Sequence, residues 1–297
     1  MFETCLFVYY ATRCQHIQKH FDIVLTYFDL DGIHDLRVEI KRLRSFFQLI
    51  EWITPAFPAK RNMRRVRKVF KSVAELRDIH VQQQLTRTWS QSLGVFLSEY
   101  YNILKQKELT AREGFAAFAS HYDLHKTLAK NEKRVKKALE PLARDMVLTK
   151  IQERLEYLLR QILKYGENGH QDHNLHKVRI LTKEARYIAE IASTCFPELG
   201  YTELLIQKLK GIHQPLGHWH DIQVAFEHLE DFHAEYGQAD AAPPFTQQVV
   251  YDRLILMLQD QQISLRKNFN ERWEEFLAYI NTNFCGLYED PVHKSLT

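Results

Sequence analysis

The chain has 297 residues, of which 45% are hydrophobic, 12% aromatic and 26% charged, and its formal net charge at pH 7 is +3. This length fits one large domain or two smaller ones, and the apolar content excludes an intrinsically disordered protein. No stretch approaches the roughly 20 apolar residues of a membrane-spanning helix. The first residues contain Glu3 and no basic start, which is not typical of a secretory signal. We therefore expect a cytoplasmic protein without a membrane segment.

The four cysteines are scattered along the chain without a C-x-x-C spacing: Cys5, Cys14, Cys195 and Cys285. This arrangement indicates neither a disulfide framework nor a zinc site of the cysteine type. We therefore expect a protein of a reducing compartment, with no disulfide framework.

Turn signals are sparse, because the chain contains only 10 Gly and 8 Pro residues. Apolar residues in the long spans between them recur at helical spacing, and the alternation typical of strands is hard to find. The sequence therefore predicts an all-α fold.

Charge is distributed unevenly along the chain. Residues 1–32 carry 2 basic and 4 acidic side chains, residues 33–87 carry 13 and 5, residues 88–174 carry 14 and 11, and residues 175–297 carry 11 and 17. The beginning of the chain is thus strongly basic and its end is net acidic. A concentrated cationic surface in a nearly neutral protein indicates an anionic partner, although charge alone is equally compatible with a solvated basic face.

The first basic element lies at residues 33–44, where His34, Arg37, Lys41 and Arg44 follow one another at helical spacing. On a helix these side chains fall within an arc of about 80° and span about 15 Å of the axis. The stripe contains no acidic side chain to relieve the repulsion, so a polyanion lying along it is the expected counterpart. His34 comes just after a predicted helix start, which suits an anion; a capping or packing histidine is the alternative.

Two further basic stripes follow. The first, with a flanking arginine, contains Arg61, Arg64, Arg65, Lys68 and Lys71. The second is weaker and contains Lys126, Lys130, Lys133 and Lys137. Between them lies Arg77-Asp78, where the carboxylate can orient the arginine through a charge-assisted hydrogen bond; an ordinary surface or capping aspartate is an equally good reading.

The element at residues 33–44 recurs at residues 175–186, displaced by 142 positions. The four identities are all cationic types: His34 and His176, Arg37 and Arg179, Lys41 and Lys183, Arg44 and Arg186. The recurring stripe again falls on one helix face, so each copy presents one straight row of cations.

A second match, displaced by 143 positions, aligns residues 73–81 with residues 216–224, so that Arg77-Asp78 corresponds to His220-Asp221. Two matches at almost the same displacement indicate two related halves, residues 1–165 and 175–297, joined by a loop within Gly166–Asn174. Of the basic residues at positions 61–71, only Arg65 and Arg67 have basic counterparts in the second half, which are Lys208 and Lys210. We therefore expect the first half to dominate binding.

The repeated motifs resemble the CHAD family, whose name stands for conserved histidine α-helical domain. The match in the first half is His34-x-x-Arg37-x-x-x-Lys41-Arg42-x-Arg44, followed by Arg77-Asp78-Ile79-His80-Val81. In the second half it is His176-x-x-Arg179-x-x-x-Lys183-x-x-Arg186, followed by His220-Asp221-Ile222-Gln223-Val224. With the long helical spacers, the resemblance covers nearly the whole chain as a single CHAD-like domain, residues 1–297.

The resemblance implies two tandem helical bundles related by pseudo-twofold symmetry, with the basic helices lining a central groove or pore. It also implies binding of inorganic polyphosphate and, often, a location at polyphosphate granules. The chain departs from the family pattern at Glu184, where a basic residue is favoured, and at Ala74, where glycine is common. Pro215 is expected to interrupt the helix that leads to the second aspartate motif.

We therefore predict a polyphosphate-binding site built from both halves, with the first contributing more. Its predicted residues are His34, Arg37, Lys41, Arg42, Arg44, Arg61, Arg64, Arg65, Lys68, Lys71, Arg77, Lys133, Lys137, His176, Arg179, Lys183, Arg186 and Lys208. No catalytic residue, cofactor or metal ligand is predicted.

Nucleic acid is the alternative anionic partner, because phosphate contacts alone do not distinguish it from polyphosphate. A single-strand binder needs aromatic side chains among the basic ones for stacking, whereas Phe46, Phe47, Phe70 and Tyr187 fit core positions here. Two facing stripes also suit a thin, flexible chain better than a duplex. The resemblance to the CHAD family above all, together with these points, favours inorganic polyphosphate, with other polyanions as alternatives.

An enzyme or a metal protein is a weaker alternative. The chain lacks the P-loop, dinucleotide-binding, nucleophile-elbow and H-E-x-x-H motifs. His16 and His20, like His121 and His125, have the i, i+4 spacing that can place two imidazoles on one helix face. No carboxylate falls at a diagnostic spacing from them, so structural or surface histidines are expected, and the protein is expected not to be an enzyme.

Overall fold

The computed structural model describes residues 2–167, 171–200, 202–236 and 245–284, and within them the chain forms ten α-helices and no β-strand. The all-α prediction is confirmed. None of the described helices combines the length and the apolarity needed to cross a membrane. The helices are α1 (Phe2–Tyr27), α2 (Leu30–Ile53), α3 (Ala59–Ser72), α4 (Ala74–Leu93), α5 (Ser98–Ser120), α6 (Leu124–Leu139), α7 (Arg144–Glu167), α8 (Asp172–Cys195), α9 (Thr202–Tyr236) and α10 (Phe245–Asn283).

The helix boundaries repeat along the chain at the displacements found in the sequence. Helices α2 and α8 both have 24 residues, and their first residues, Leu30 and Asp172, lie 142 positions apart. Helix α9 corresponds to α3 and α4 together, because its first residue lies 143 positions after Ala59 and its last 143 positions after Leu93. Residues 30–93 and 172–236 therefore share one helix order, and α9 fuses two helices that are separate in the first half.

Pro215 lies inside α9, so the expected interruption of this helix is wrong. Proline removes one backbone N–H and with it the hydrogen bond to the carbonyl of Gly211. The buried apolar side chains on both sides of the proline, Ile212 and Leu216, hold the two parts of the helix against the core. Packing therefore overrides the local cost at the position equivalent to the α3–α4 break.

The start of α2 is fixed by a side-chain cap and by close packing on α1. The Asp29 carboxylate accepts a hydrogen bond of 2.7 Å from the backbone N–H of Gly32. A Cβ atom at Gly32 would lie 2.8 Å from a methyl group of Ile23, so only glycine permits this approach of the two helices. The cap sets the register of the cationic face that follows on α2.

The loop predicted at Gly166–Asn174 is shorter than expected. Helix α7 continues to Glu167 and α8 begins at Asp172, while residues 168–170 lie outside the described residues. Gly166 is buried, and a Cβ atom there would lie about 2.0 Å from the Trp273 ring of α10. Close packing between helices, and not a turn, explains this glycine.

A disulfide bond joins Cys5 of α1 to Cys195 of α8, with the two Cα atoms 5.6 Å apart. The expectation of no disulfide framework is wrong for this pair. The residues are 190 positions apart, and only the packing of α1 against α8 brings them together. Cys14 is a free thiol, and Cys285 lies outside the described residues.

Candidate functional site

The cationic faces of α2 and α8 meet where the two helices pack against each other. Each helix buries an apolar face, which includes Leu36 and Leu43 on α2 and Val178 and Ala185 on α8. The basic side chains lie beside these faces and are half-buried: Arg37, Lys41, Arg179 and Lys183. The positive charges of Arg37 and Arg179 act on Lys41, and the charge of Lys41 acts on Lys183. The structure thus brings the two repeated stripes into one site.

Helices α4 and α9 add the second repeated motif to the same site. Arg77 of α4 acts electrostatically on Lys41, and Asp221 of α9 acts on both Arg77 and Arg179. Asp78 of α4 acts on Arg37. The five basic side chains are here named the cationic cluster: Arg37, Lys41, Arg77, Arg179 and Lys183.

The cationic cluster lacks direct partners for its charges. Among the described residues, none of its five side chains takes part in a salt bridge, and its two nearby carboxylates, Asp78 and Asp221, act only at longer range. One guanidinium nitrogen of Arg37 and the Nε atom of Arg179 are buried without a hydrogen-bond acceptor. Buried donors without acceptors are costly, so an anion that supplies oxygen atoms would stabilise this site.

Burial and the repulsion among the cations lower the pKa of both lysines of the cluster. Burial, followed by the charges of Arg37 and Arg179, lowers the pKa of Lys41 from 10.5 to about 8. Burial, followed by the charges of Lys41 and Arg179, lowers the pKa of Lys183 to about 7. A bound anion would reverse both effects, because a negative charge favours the protonated lysine.

Two histidines of α9 that were not predicted as site residues belong to the same site. His213 is half-buried, and burial together with the charges of Lys183 and Arg186 lowers its pKa to about 3. Burial and the charge of Arg179 lower the pKa of His220 to about 4. The Nε2 atom of His213 is buried without a partner. Both imidazoles are therefore neutral at pH 7.

Phe70 of α3, expected in the core, packs against the core and also lies in the site. Its half-buried ring lies 4.3 Å from the guanidinium carbon of Arg37 and 5.7 Å from the Lys41 ammonium nitrogen. This contact is a cation–π interaction that orients both cations. The displacement of 143 positions relates Phe70 to His213. Phe46, Phe47 and Tyr187 are buried as expected.

Three predicted residues lie at the edge of the cationic cluster. The charges of Arg77 and Lys41 act on His34, which is exposed. The His176 ring lies 5.4 Å from that of His220, measured between centroids. Arg186 acts on Lys183 and is paired with Glu190 at 3.5 Å.

Two predicted residues are held in ion pairs away from the cluster. Arg42 of α2 contacts Glu39 at 2.8 Å and Glu190 at 3.4 Å. Lys208 lies 3.4 Å from Glu275 of α10. Neighbouring acidic side chains already satisfy both charges.

The remaining predicted residues are exposed and are not part of the cationic cluster. Arg44 follows Lys41 by one turn of α2, and the others lie on α3 and α6. Three of the α3 residues line a pocket between these two helices. The exposed residues are Arg44, Arg61, Arg64, Arg65, Lys68, Lys71, Lys133 and Lys137.

The histidine pairs considered as metal ligands do not converge on a common point with other ligands. Within the described ranges, no group of three His, Cys, Asp or Glu side chains is placed to hold a metal ion. The rings of His16 and His20 lie 6.4 Å apart, each near one carboxylate of α2: Glu39 at 3.8 Å for His16 and Asp35 at 4.0 Å for His20.

Comparison with known proteins gives one family and one fold. The family model of the CHAD domain matches residues 9–230. The crystal structure of the CHAD domain from the plant Ricinus communis is similar to this chain, with a TM-score of 0.67 and 18% sequence identity. The match covers 98% of this chain and 92% of that chain, and at this identity it shows the fold. No curated protein matches the sequence.

Proposed function

The chain belongs to the CHAD family, and on this premise we propose that it binds inorganic polyphosphate in the cationic cluster. The observation that carries the proposal is the convergence of five basic side chains from three helices of both halves, without a direct carboxylate partner. Inorganic polyphosphate carries negative charge and oxygen acceptors on every unit, which suits basic side chains that have no carboxylate partner.

The half-buried position of the cluster favours a thin chain over a nucleic acid. A duplex is about 20 Å wide, and its grooves are read by exposed helices or strands. Single-stranded nucleic acid needs aromatic side chains that are free to stack with bases. In this site the aromatic ring of Phe70 is already covered by Arg37 and Lys41. Polyphosphate has no bases, so its phosphate units can contact the cations and the site needs no space for bases.

The proposed role is to hold polyphosphate without cleaving it, in the cytoplasm or at polyphosphate granules. The groups in and around the cluster are cations, two carboxylates and neutral imidazoles, which suit charge neutralisation. An assay of phosphate release from long-chain polyphosphate is expected to give no turnover. A fluorescent fusion of the full chain is expected to mark the granules, and the cluster variant described below is expected to be diffuse.

The first experiment is a titration of long-chain polyphosphate against single-stranded DNA of matched charge, at about 150 mM salt. We expect a preference for polyphosphate of about a hundredfold or more. Equal affinities would overturn the proposal in favour of a generic polyanion surface, since electrostatic attraction to phosphates is common to both ligands.

The second experiment locates the site. The paired change Arg37→Glu and Lys41→Glu should abolish polyphosphate binding while the helical circular dichroism signal is unchanged. A matched control, Lys19→Glu with Lys107→Glu, reverses two exposed charges on α1 and α5. Equal losses in the two variants would show that net charge, and not the cluster, determines binding.

A further inference from the structure

Helices α3 and α6 form a second basic site, which is separate from the cationic cluster. A pocket of about 160 Å³ lies between them and is here named the α3–α6 pocket. Its lining includes five basic side chains and no carboxylate: Arg61, Arg64, Arg65, Lys130 and Arg134. Such a concentration of one charge around a concave surface focuses its field on a bound anion.

The floor of the α3–α6 pocket is built from buried polar side chains. Asn62 and Asn131 are only 4% and 2% exposed. The Asn131 side chain donates a hydrogen bond of 3.1 Å to the backbone carbonyl of Asn62. Arg134 donates a hydrogen bond of 2.9 Å to the side-chain oxygen of Asn62. These contacts fix the position of both asparagines and of one guanidinium group.

The amide nitrogen of Asn62 is buried in this floor without an acceptor. Since arginine can only donate, the hydrogen bond from Arg134 fixes the orientation of the Asn62 amide, with oxygen toward Arg134. The amide nitrogen is therefore left as a donor without a partner. A phosphate oxygen is an acceptor that would satisfy it together with the surrounding cations.

The fold itself does not require these polar residues. In the second half, the displacement of 143 positions relates Asn62 to Leu205, which is fully buried, and Arg61 to Leu204. It relates Arg64 to Gln207. The same helical position is therefore compatible with a leucine in the core, and the polar floor and its cations are particular to the first half.

A row of exposed cations connects the α3–α6 pocket to the cationic cluster. Arg61, Arg64, Lys68 and Lys71 lie along α3 and span about 15 Å. The first two line the pocket, and Lys71 follows Phe70, which contacts Arg37 and Lys41 of the cluster. A flexible polyanion could therefore occupy both places at once.

We propose that the α3–α6 pocket is a second phosphate-binding site. It binds one segment of a polyphosphate chain while another segment of the same chain is bound in the cationic cluster. This inference rests on the proposed function. Binding of one chain at two linked places raises the affinity through effective concentration, and a short chain cannot gain from it. The affinity therefore increases with chain length until a chain spans α3.

The test compares tripolyphosphate with long-chain polyphosphate by calorimetric titration of the full chain. The variant Arg64→Gln with Arg134→Gln removes two charges of the pocket, and Arg64→Gln copies the residue of the second half. We expect the affinity for long-chain polyphosphate to fall at least tenfold, and the affinity for tripolyphosphate to change less than twofold. The matched control is Lys19→Gln with Lys107→Gln, which removes two exposed charges elsewhere.

A second variant tests the floor of the pocket. Asn62→Leu copies the buried residue of the second half, so we expect it to fold, with an unchanged thermal melting temperature within a few degrees. It should lower the affinity for long chains and leave tripolyphosphate binding unchanged. Should it instead fail to fold, the arginine variant decides the matter alone.

The outcomes separate this inference from the proposed function. If long-chain affinity falls equally in the pocket variant and the matched control, the α3–α6 pocket is not a site. If the wild-type affinity is the same for both chain lengths, the inference is also wrong, while binding in the cationic cluster stands. If the wild-type protein binds neither ligand, the proposed function fails first.

Discussion

The two halves of the molecule place different residues at equivalent positions of one site. In the first half, Phe70 lies beneath the cations, and in the second half its counterpart is His213. Arg77 of the first half corresponds to His220 of the second. Arginine is charged at every physiological pH, whereas both histidines are neutral at pH 7 because burial and neighbouring cations lower their pKa.

Within the cluster, the first half thus has two arginines, which are charged at every physiological pH, and the second half has one. The same trend holds for the two lysines, since the pKa of Lys41 is about 8 and that of Lys183 about 7. At pH 7.5 the first half therefore carries more positive charge within the cluster than the second. We expect the first half to contribute more to binding at this pH and less of the pH dependence.

The largest expected effect comes from neutralising one half at a time. At pH 7.5, Arg37→Gln with Lys41→Gln should lower polyphosphate affinity about a hundredfold or more, since each lost phosphate contact costs about 1–3 kcal/mol. Arg179→Gln with Lys183→Gln should cost about tenfold, because Lys183 is partly neutral before binding. Calorimetric titration measures both. A larger loss in the second pair would reverse the ranking of the halves.

The next effect concerns the covalent link between the halves. Replacing both cysteines of the Cys5–Cys195 disulfide by serine should lower the free energy of unfolding by about 2–4 kcal/mol, because the bond closes a long loop in the unfolded chain. Guanidinium denaturation measures the change. Reductant should destabilise the wild type by a similar amount and leave the double serine variant unchanged; a wild type that does not respond to reductant contradicts this prediction.

A smaller effect concerns stability without ligand. Lys183→Met should stabilise the free protein by about 1–3 kcal/mol at pH 6, because it removes a buried charge that its neighbours repel. The folded pKa, about 7, is below the ordinary 10.5, so the cost is fully present below pH 7 and is relieved as the pH rises toward 10.5.

Thermal denaturation at pH 6 and pH 9 checks this sign. The gain from Lys183→Met should be larger at pH 6, whereas Lys107→Met, at an exposed position, should change stability little at either pH. A variant that is less stable than the wild type at pH 6 would show that Lys183 makes a favourable contact in the free protein.

The smallest effect comes from exchanging the distinguishing residue between the halves. At pH 8, His220→Arg should raise polyphosphate affinity several-fold, and Arg77→His should lower it about tenfold. Lowering the pH to 6 should restore part of the affinity of Arg77→His, because a bound anion favours the protonated imidazole. Titrations at both pH values test the exchange, and equal losses for Arg77→His at pH 6 and 8 would exclude protonation as the cause.

The sequence by itself determined the all-α fold, the internal repeat and the cations of the cluster. Helical periodicity and sparse turn signals are local properties, and a displacement of about 142 positions is visible without coordinates. Arg37, Lys41, Arg179 and Lys183 were identified because a row of like charges on one helix face needs an external partner. These features depend on the spacing of residues within single helices, so the linear sequence is sufficient to show them.

Only the tertiary structure decided which charges remain without partners. Arg42 and Lys208 belong to the same basic pattern, yet Glu39, Glu190 and Glu275 come from positions that sequence spacing alone does not select. Helix packing also joined Cys5 to Cys195.

The structure also decided the surroundings of the cluster and of the second basic site. It placed Phe70 and His213 beside the cations and formed the α3–α6 pocket. Burial, ion pairing and the resulting pKa values depend on side chains from several helices, and their distances are fixed only when those helices pack together.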